Sequence, residues 1–378
     1  MRITRRAALL SAAAVASFAI IDRARAADTI KIGVTSPLTG PAADVGRIQL
    51  NSARLAVSDV NAAGGVLGKQ VELIVEDDQT TNPGIVLAFS RLAANPDIVG
   101  FLGSIRSTQV NAMAPDVARV GKPVMFGGTD PTLTHNGYKW LFRCRPNDSY
   151  SARVIADYGV NTLKLKKWAL VYSTDAFGTG GMNALTDSLG KLGIKLALSQ
   201  GYANQQADFS PVVLAVKQAE PEVMASYFTY EPDCALFARQ LRQLGVRTPW
   251  IGSPSIISPV TLGLAKNALW GTYGIADFTP DANDQSKAFT AQYQKAHGGE
   301  IPDSGWTFDG VKILCNAMND AKTTDPEKIR AAILSLKGYK GTEGEYNYDE
   351  NGDGLHGYNI VKNEKGKVEF DKHVEMTA

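Results

Sequence analysis

The stretch Gly103-Ser104-Ile105-Arg106-Ser107-Thr108-Gln109 sets one arginine among three hydroxyl side chains, directly after the apolar run Ile98–Leu102. A helical pattern begins near Thr108, so the free N–H groups and partial positive charge of a helix start face whatever precedes it. Ser104 and Ser107 can donate hydrogen bonds and Arg106 can offer a two-pronged guanidinium, a combination suited to a carboxylate or similar anion. The competing reading is that Ser107 caps the helix while Arg106 points to water. Three further loops could complete a site. Gly127-Gly128-Thr129-Asp130-Pro131 would let a ligand approach the backbone, with Thr129 as a polar contact, although turn-making accounts for its composition too. Ser173-Thr174-Asp175-Ala176-Phe177-Gly178 and Thr229-Tyr230-Glu231-Pro232 each bring an aromatic ring. Phe177 and Tyr230 could wall a ligand held by its anionic end.

Other chemistries find less support. The run Phe177-Gly-Thr-Gly-Gly181 lacks the spacing of a dinucleotide or phosphate-loop fingerprint. Asp349-Glu-Asn351-Gly-Asp353-Gly354 starts like a calcium loop, but Ile360 stands where the closing glutamate belongs. The four histidines show no metal-binding spacing, and no nucleophile elbow occurs. No motif for a metal or cofactor is thus expected, and a binding protein and an exported enzyme both stay open at this point, since a catalytic triad assembled in space leaves no local motif.

The candidate loops gain meaning from the elements that carry them. Strand Ile30–Thr35, helix Leu50–Asn61 stopped by Gly64-Gly65, and strand Val71–Val75 open a regular alternation. Asn82 reads as the cap of the next helix, with Pro83 at its first position and Ile85, Val86, Phe89 and Leu92 as its buried stripe. Strand Ile98–Leu102, helix Thr108–Val120 and strand Pro123–Phe126 follow. This βαβ series predicts a parallel sheet covered on both faces. A second series starts with helix Tyr150–Leu163 and strand Trp168–Tyr172 and runs to strand Pro249–Ile251, so two α/β units stand in tandem, as the length also suggests. Helices Ser286–His297 and Phe308 to about Ala321, with a turn-rich tail, are expected to pack back on the first unit. Open parallel sheets bind ligands beyond the carboxyl ends of their strands, where all four loops lie.

The ends and the charge balance set the compartment. Met1–Ala26 has a basic start, an Ala-rich apolar run and Ala24-Arg25-Ala26, which together predict an export signal cleaved after Ala26. Thr4-Arg5-Arg6 before Ala-Ala-Leu is similar to a twin-arginine signal, with ordinary secretion as the alternative. Removing its five arginines and one aspartate from 39 basic and 38 acidic residues leaves 34 against 37, a net charge near −3. No basic stripe supports a nucleic-acid partner, and no second apolar run is long enough to cross a bilayer. Cys144, Cys234 and Cys315 are widely spaced and odd in number, which predicts buried thiols; one bridge such as Cys144–Cys234 is the alternative.

From Asp28 onward the chain resembles the substrate-binding proteins of branched-chain amino-acid ABC transporters, which have a type I periplasmic-binding fold. The resemblance rests on Ile32-Gly-Val-Thr-Ser-Pro-Leu-Thr-Gly40, the helix end Asp59-Val-Asn-Ala-Ala-Gly-Gly65, the strand end Glu76-Asp77-Asp78 and the order of the four loops. It implies two Rossmann-like lobes, 27–146 with 277–350 and 147–276 with 351–378, joined by three crossovers and closing on a ligand. It also implies a periplasmic monomer that hands a small carboxylate-bearing solute to an inner-membrane permease with a cytoplasmic ATPase; a sensor partner of a membrane receptor is the variant reading. Carried over residue by residue, the carboxylate-binding serine falls at Ser104 or Ile105, the backbone and amino contacts at Gly127 and Thr129, and the side-chain wall at Phe177, Tyr230 and Phe308. The acidic partner of a ligand ammonium would stand in Gly252-Ser253-Pro254-Ser255, where Pro254 and its neighbours carry no acid. That gap, with Arg106 on the anionic side, tilts the expected ligand toward an apolar or aromatic acid over a hydrophobic amino acid. Asp130, Asp175 or Glu231 could fill the missing role.

Overall fold

The structure is a computed structural model that describes residues 29–376; the expected export signal lies outside the described residues. Five parallel strands, β1 (Ile30–Ser36), β2 (Val71–Asp77), β3 (Ile98–Leu102), β4 (Val124–Phe126) and β5 (Leu141–Arg143), form the first sheet in the order β2-β1-β3-β4-β5. Helices Ala43–Ala62 and Trp306–Ala321 cover one face, where Ile32, Ala53, Val311 and Leu314 share a core. Helices Asn82–Ala93 and Ser107–Val120 cover the other through Phe89, Phe101, Val110 and Met113. Helices Asp284–Ala296 and Pro326–Ser335 also join this unit, by way of Phe289, Tyr293, Ile329 and Ile333.

The second sheet continues the parallel pattern with β6 (Trp168–Ser173), β7 (Leu196–Tyr202), β8 (Val223–Tyr227), β9 (Trp250–Gly252) and β10 (Tyr273–Ala276). After the short pair β11 (Tyr339–Lys340) and β12 (Glu345–Tyr346), the chain returns as a hairpin of β13 (Gly357–Glu364) and β14 (Lys367–Glu375). The order is β14-β13-β10-β9-β8-β6-β7, with β13 antiparallel to both neighbours. The tail is thus an ordered sheet edge and not a run of turns. Its turn places Lys365 and Gly366 at φ 54° and 95°, the doubly left-handed geometry of a tight hairpin.

Several helix starts differ from the sequence pattern, for local reasons. Thr81, not Asn82, is the cap: its Oγ1 accepts the Gly84 N–H at 3.0 Å. The sequence pattern places the helix after β6 at Gly181–Leu192, but it begins at Ala176, because Asp175 Oδ1 accepts the Gly178 N–H at 3.0 Å. The glycines that obscured this start are packing devices. A Cβ on Gly181 would lie 2.3 Å from the Tyr227 ring.

The chain passes between the sheets three times, after β5, after β10 and between β12 and β13. Asp353 binds the first and third passages together. Its carboxylate accepts from Arg143 Nε at 2.8 Å, Asn147 Nδ2 at 2.7 Å and Thr134 Oγ1 at 2.9 Å. The acidic run Asp349–Gly354 therefore serves as a structural knot, and among the described residues no cluster of three or more His, Cys, Asp or Glu side chains could hold a metal.

Candidate ligand site between the two sheets

The loops at the carboxyl ends of both sheets meet around a cavity of about 60 Å³. The first unit contributes Ile105, Arg106, Ser107 and Thr129, with Asp303 and Ser304 from the loop before the helix Trp306–Ala321. The second contributes Phe177, Phe228, Thr229, Glu231, Pro254, Ser255, Ile257 and Ser258, and the passages between the sheets add Arg145, Asp277 and Phe278. At about 10–15 Å³ per water position, the space suits a small solute.

Six of the ten residues expected to contact a ligand line this cavity, Ile105, Arg106, Ser107, Thr129, Phe177 and Pro254, and so does Glu231, one of the acids named as a substitute. Four do not. Ser104 turns into its own loop, where its Oγ donates to Gln109 Oε1 at 2.7 Å and accepts the Arg106 N–H at 2.9 Å. Gly127 faces the Trp306 indole, which an added Cβ would meet at 2.8 Å. Phe308 is buried in the first unit against Phe289, with ring centroids 4.8 Å apart. Tyr230 lies beneath the Arg106 guanidinium, 5.2 Å from its carbon to the ring centroid.

Arg106 neither points to water nor offers a free fork. Its Nη2 donates to Glu231 Oε2 at 2.9 Å and its Nη1 to the Thr229 carbonyl, so both terminal nitrogens reach across to the second unit. Its Nε is buried and has no partner. Burial opposes the charge, but Glu231 outweighs it and the guanidinium pKa is raised. Ser107 is not the cap either: its Oγ accepts the N–H groups of Thr129 and Asp130, both at 3.1 Å. Thr129 Oγ1 in turn donates to Asp148 Oδ2 at 2.8 Å. The hydroxyls thus brace the anion side, while the N–H groups of the first turn after Arg106 keep their usual lack of helical partners.

The sequence reading named Glu231 as one possible acid but missed Arg145, Asp277 and Asp303. Arg145 pairs with Asp277 and donates through Nη1 to the Gly127 carbonyl at 3.2 Å. Asp303 is half-buried in the cavity wall, where Ser258 Oγ donates to its Oδ1 at 2.7 Å across the two units. Among the described residues it has no ion-pair partner. Burial, then the nearby Glu231 charge, pushes its pKa up to about 6. The wall therefore holds two guanidinium groups, both paired, and three carboxylates, one unpaired. The sequence signal for Asp303 was faint, a single acid in Ile301-Pro302-Asp303-Ser304 far from the quoted loops. The three cysteines are buried and unpaired.

With this geometry in view, comparison with known proteins is informative. A family model described as periplasmic binding protein matches residues 29–367. A leucine-, isoleucine-, valine-, threonine- and alanine-binding protein of Pseudomonas aeruginosa is 27% identical over 352 residues, covering 91% of this chain and 92% of that protein. Among solved structures, a leucine-binding protein of Thermotoga maritima superposes with a TM-score of 0.85 at 24% identity, covering 92% of this chain and 99% of its own. A branched-chain amino-acid transporter substrate-binding protein of Streptococcus pneumoniae, in complex with isoleucine, gives a TM-score of 0.84 at 22% identity, with 92% and 100% covered.

Proposed function

The chain belongs to the periplasmic binding protein family and is an extracytoplasmic solute-binding protein of the ABC-transporter kind, not an enzyme; from that membership we propose that its solute is a small hydrophobic amino acid. In this reading the lobes are 27–146 with 277–350 and 147–276 with 351–378. The solute is held between them by a monomer and passed to a membrane permease driven by a cytoplasmic ATPase. The amino-acid ligands in the names of its relatives agree with this choice.

The observation that carries the proposal is Asp303, a half-buried carboxylate in the cavity wall with a hydroxyl for a partner and, among the described residues, no ion pair. A ligand ammonium supplies the missing counter-charge. Such a charge-assisted hydrogen bond is worth ~1.5–3 kcal/mol, or ~10- to 100-fold in affinity. The ligand carboxylate takes the other end, at Arg106 Nε and the open N–H groups of the first helical turn. Ile105, Phe177, Phe228, Ile257 and Phe278 supply apolar walls for the side chain. Asp303 thus fills the acidic role that the sequence around Pro254 leaves vacant, and the balance shifts from an apolar acid to an amino acid.

The pH dependence of binding tests this assignment. Asp303 is an acid whose folded pKa lies above its ordinary value, so in the free protein the neutral form is favoured up to about pH 6. An ammonium needs the carboxylate, which must first lose that proton. Affinity for leucine should therefore be level above pH 6 and fall as the pH drops below it, by up to about tenfold per unit. Asp303→Asn should weaken binding at neutral pH and flatten the acid limb. Calorimetric titration of both proteins across this range reads the effect. Wild-type affinity in Asp303→Asn, or tighter binding on acidification, contradicts the assignment.

A further inference from the structure

Ile105 borders a second, smaller cavity, lined by residues of the first unit and about 10 Å³ in volume. That is room for one atom the size of a water oxygen. Much of its lining is apolar, with Val34, Leu50 and Leu102 in the wall. Three side-chain donors in the same wall are buried and without a partner: Thr35 Oγ1, Gln49 Nε2 and Trp306 Nε1. Their residues are 3%, 4% and 1% exposed.

The remaining hydroxyls of the wall are already engaged. Ser36 Oγ donates to the Gly46 carbonyl at 3.3 Å, Ser104 Oγ to Gln109 Oε1 at 2.7 Å, and Thr307 Oγ1 to the Gln49 carbonyl at 2.8 Å. Nothing of this kind relieves the other three. A buried polar group left unpaired costs ~1–3 kcal/mol, so three around one small space make a large penalty that a single acceptor atom removes. The indole N–H can only donate, which fixes the sign of the occupant.

We infer that this chamber is a binding site for one acceptor oxygen, held by Thr35, Gln49 and Trp306 and adjoining the solute cavity at Ile105. Two sources share that chemistry. A water molecule can supply the oxygen, or a carbonyl, carboxylate or hydroxyl oxygen of the solute can enter past Ile105. The second source rests on the solute-binding reading above, and the first does not. If the solute supplies it, Ile105 and the three donors set specificity by rewarding a ligand that reaches one acceptor beyond the cleft.

The experiment is a pair of crystal structures of the full mature protein, one as purified with any solute it carries, the other after unfolding, dialysis and refolding to strip that solute. An oxygen within hydrogen-bond distance of Trp306 Nε1 in both identifies water. An oxygen present only in the purified form, continuous with density in the cleft, identifies the solute. An empty chamber in both structures overturns the inference, whatever the cleft contains. Because the stripped protein is read by itself, failure of the amino-acid assignment leaves the result interpretable.

Discussion

Replacing Arg106 with alanine is expected to weaken solute binding by roughly 100- to 1000-fold while leaving the separate units folded. The residue joins the first unit to the second through Glu231 and the Thr229 carbonyl, and both members of the ion pair are buried, at 9% and 6% exposure. Removing one partner of a buried pair costs ~3–5 kcal/mol, chiefly because the other charge is stranded. The stranded group is Glu231, whose side chain meets Arg106 at the contact between the units. The cost therefore falls on closure, and the lost Nε donor adds to it. Arg106→Lys should recover part of the affinity, since an ammonium can meet Glu231 but cannot also reach the carbonyl in the same planar geometry. Arg106→Ala combined with Glu231→Gln should bind better than Arg106→Ala alone, because the stranded charge is gone. Calorimetry gives the affinities and small-angle scattering gives the closure. Wild-type affinity in Arg106→Ala would show that the cross-unit contact contributes nothing.

Asp353→Ala is expected to lower the stability of the whole protein by ~3–5 kcal/mol, the range for breaking a buried ion pair from one side. Arg143 is fully buried and would lose its only carboxylate among the described residues, while Asn147 and Thr134 lose an acceptor. The effect should appear as a lower urea midpoint. Burial by itself would raise the Asp353 pKa, but Arg143, His135 and Asn147 prevail and hold it well below the usual carboxylate range. An acid depressed on folding contributes stability that is present above its ordinary pKa of ~3.9 and is lost as the pH falls toward the folded value. The wild type should thus lose stability below about pH 4, and Asp353→Ala should lose less there because part of the loss is already incurred. An unchanged urea midpoint would mean that the passages between the sheets are held without this knot.

The fold was readable where a residue's own neighbours decide its structure. Short, mostly apolar runs such as Ile98–Leu102 and Val223–Tyr227 become central parallel strands because both their faces are buried. The hairpin at the tail hid itself. Asn359 and Asn363 are buried inside β13, where their amides donate to the carbonyls of Asp277 and Leu269, so the strand lacks an apolar alternation. The site divides the same way. Thr129 and Phe177 follow strand ends directly, and position in the βαβ series is enough to bring them to the cavity wall. Asp303, Arg145 and Asp277 come from connections whose placement depends on how the two units meet. For Arg106 the sequence showed a charge and a helix start; that Glu231 and the Thr229 carbonyl would occupy both terminal nitrogens is a property of the tertiary arrangement alone.

The most direct test of the central claim is a calorimetric comparison of leucine with isocaproate, the same molecule without its amino group, at neutral pH. If Asp303 receives an ammonium while Arg106 Nε and the helix start receive a carboxylate, leucine should bind ~10- to 100-fold more tightly than isocaproate. That preference should vanish in Asp303→Asn. Isocaproate binding as well as leucine or better, or neither binding at all, would contradict the account of the cleft as a hydrophobic amino-acid site.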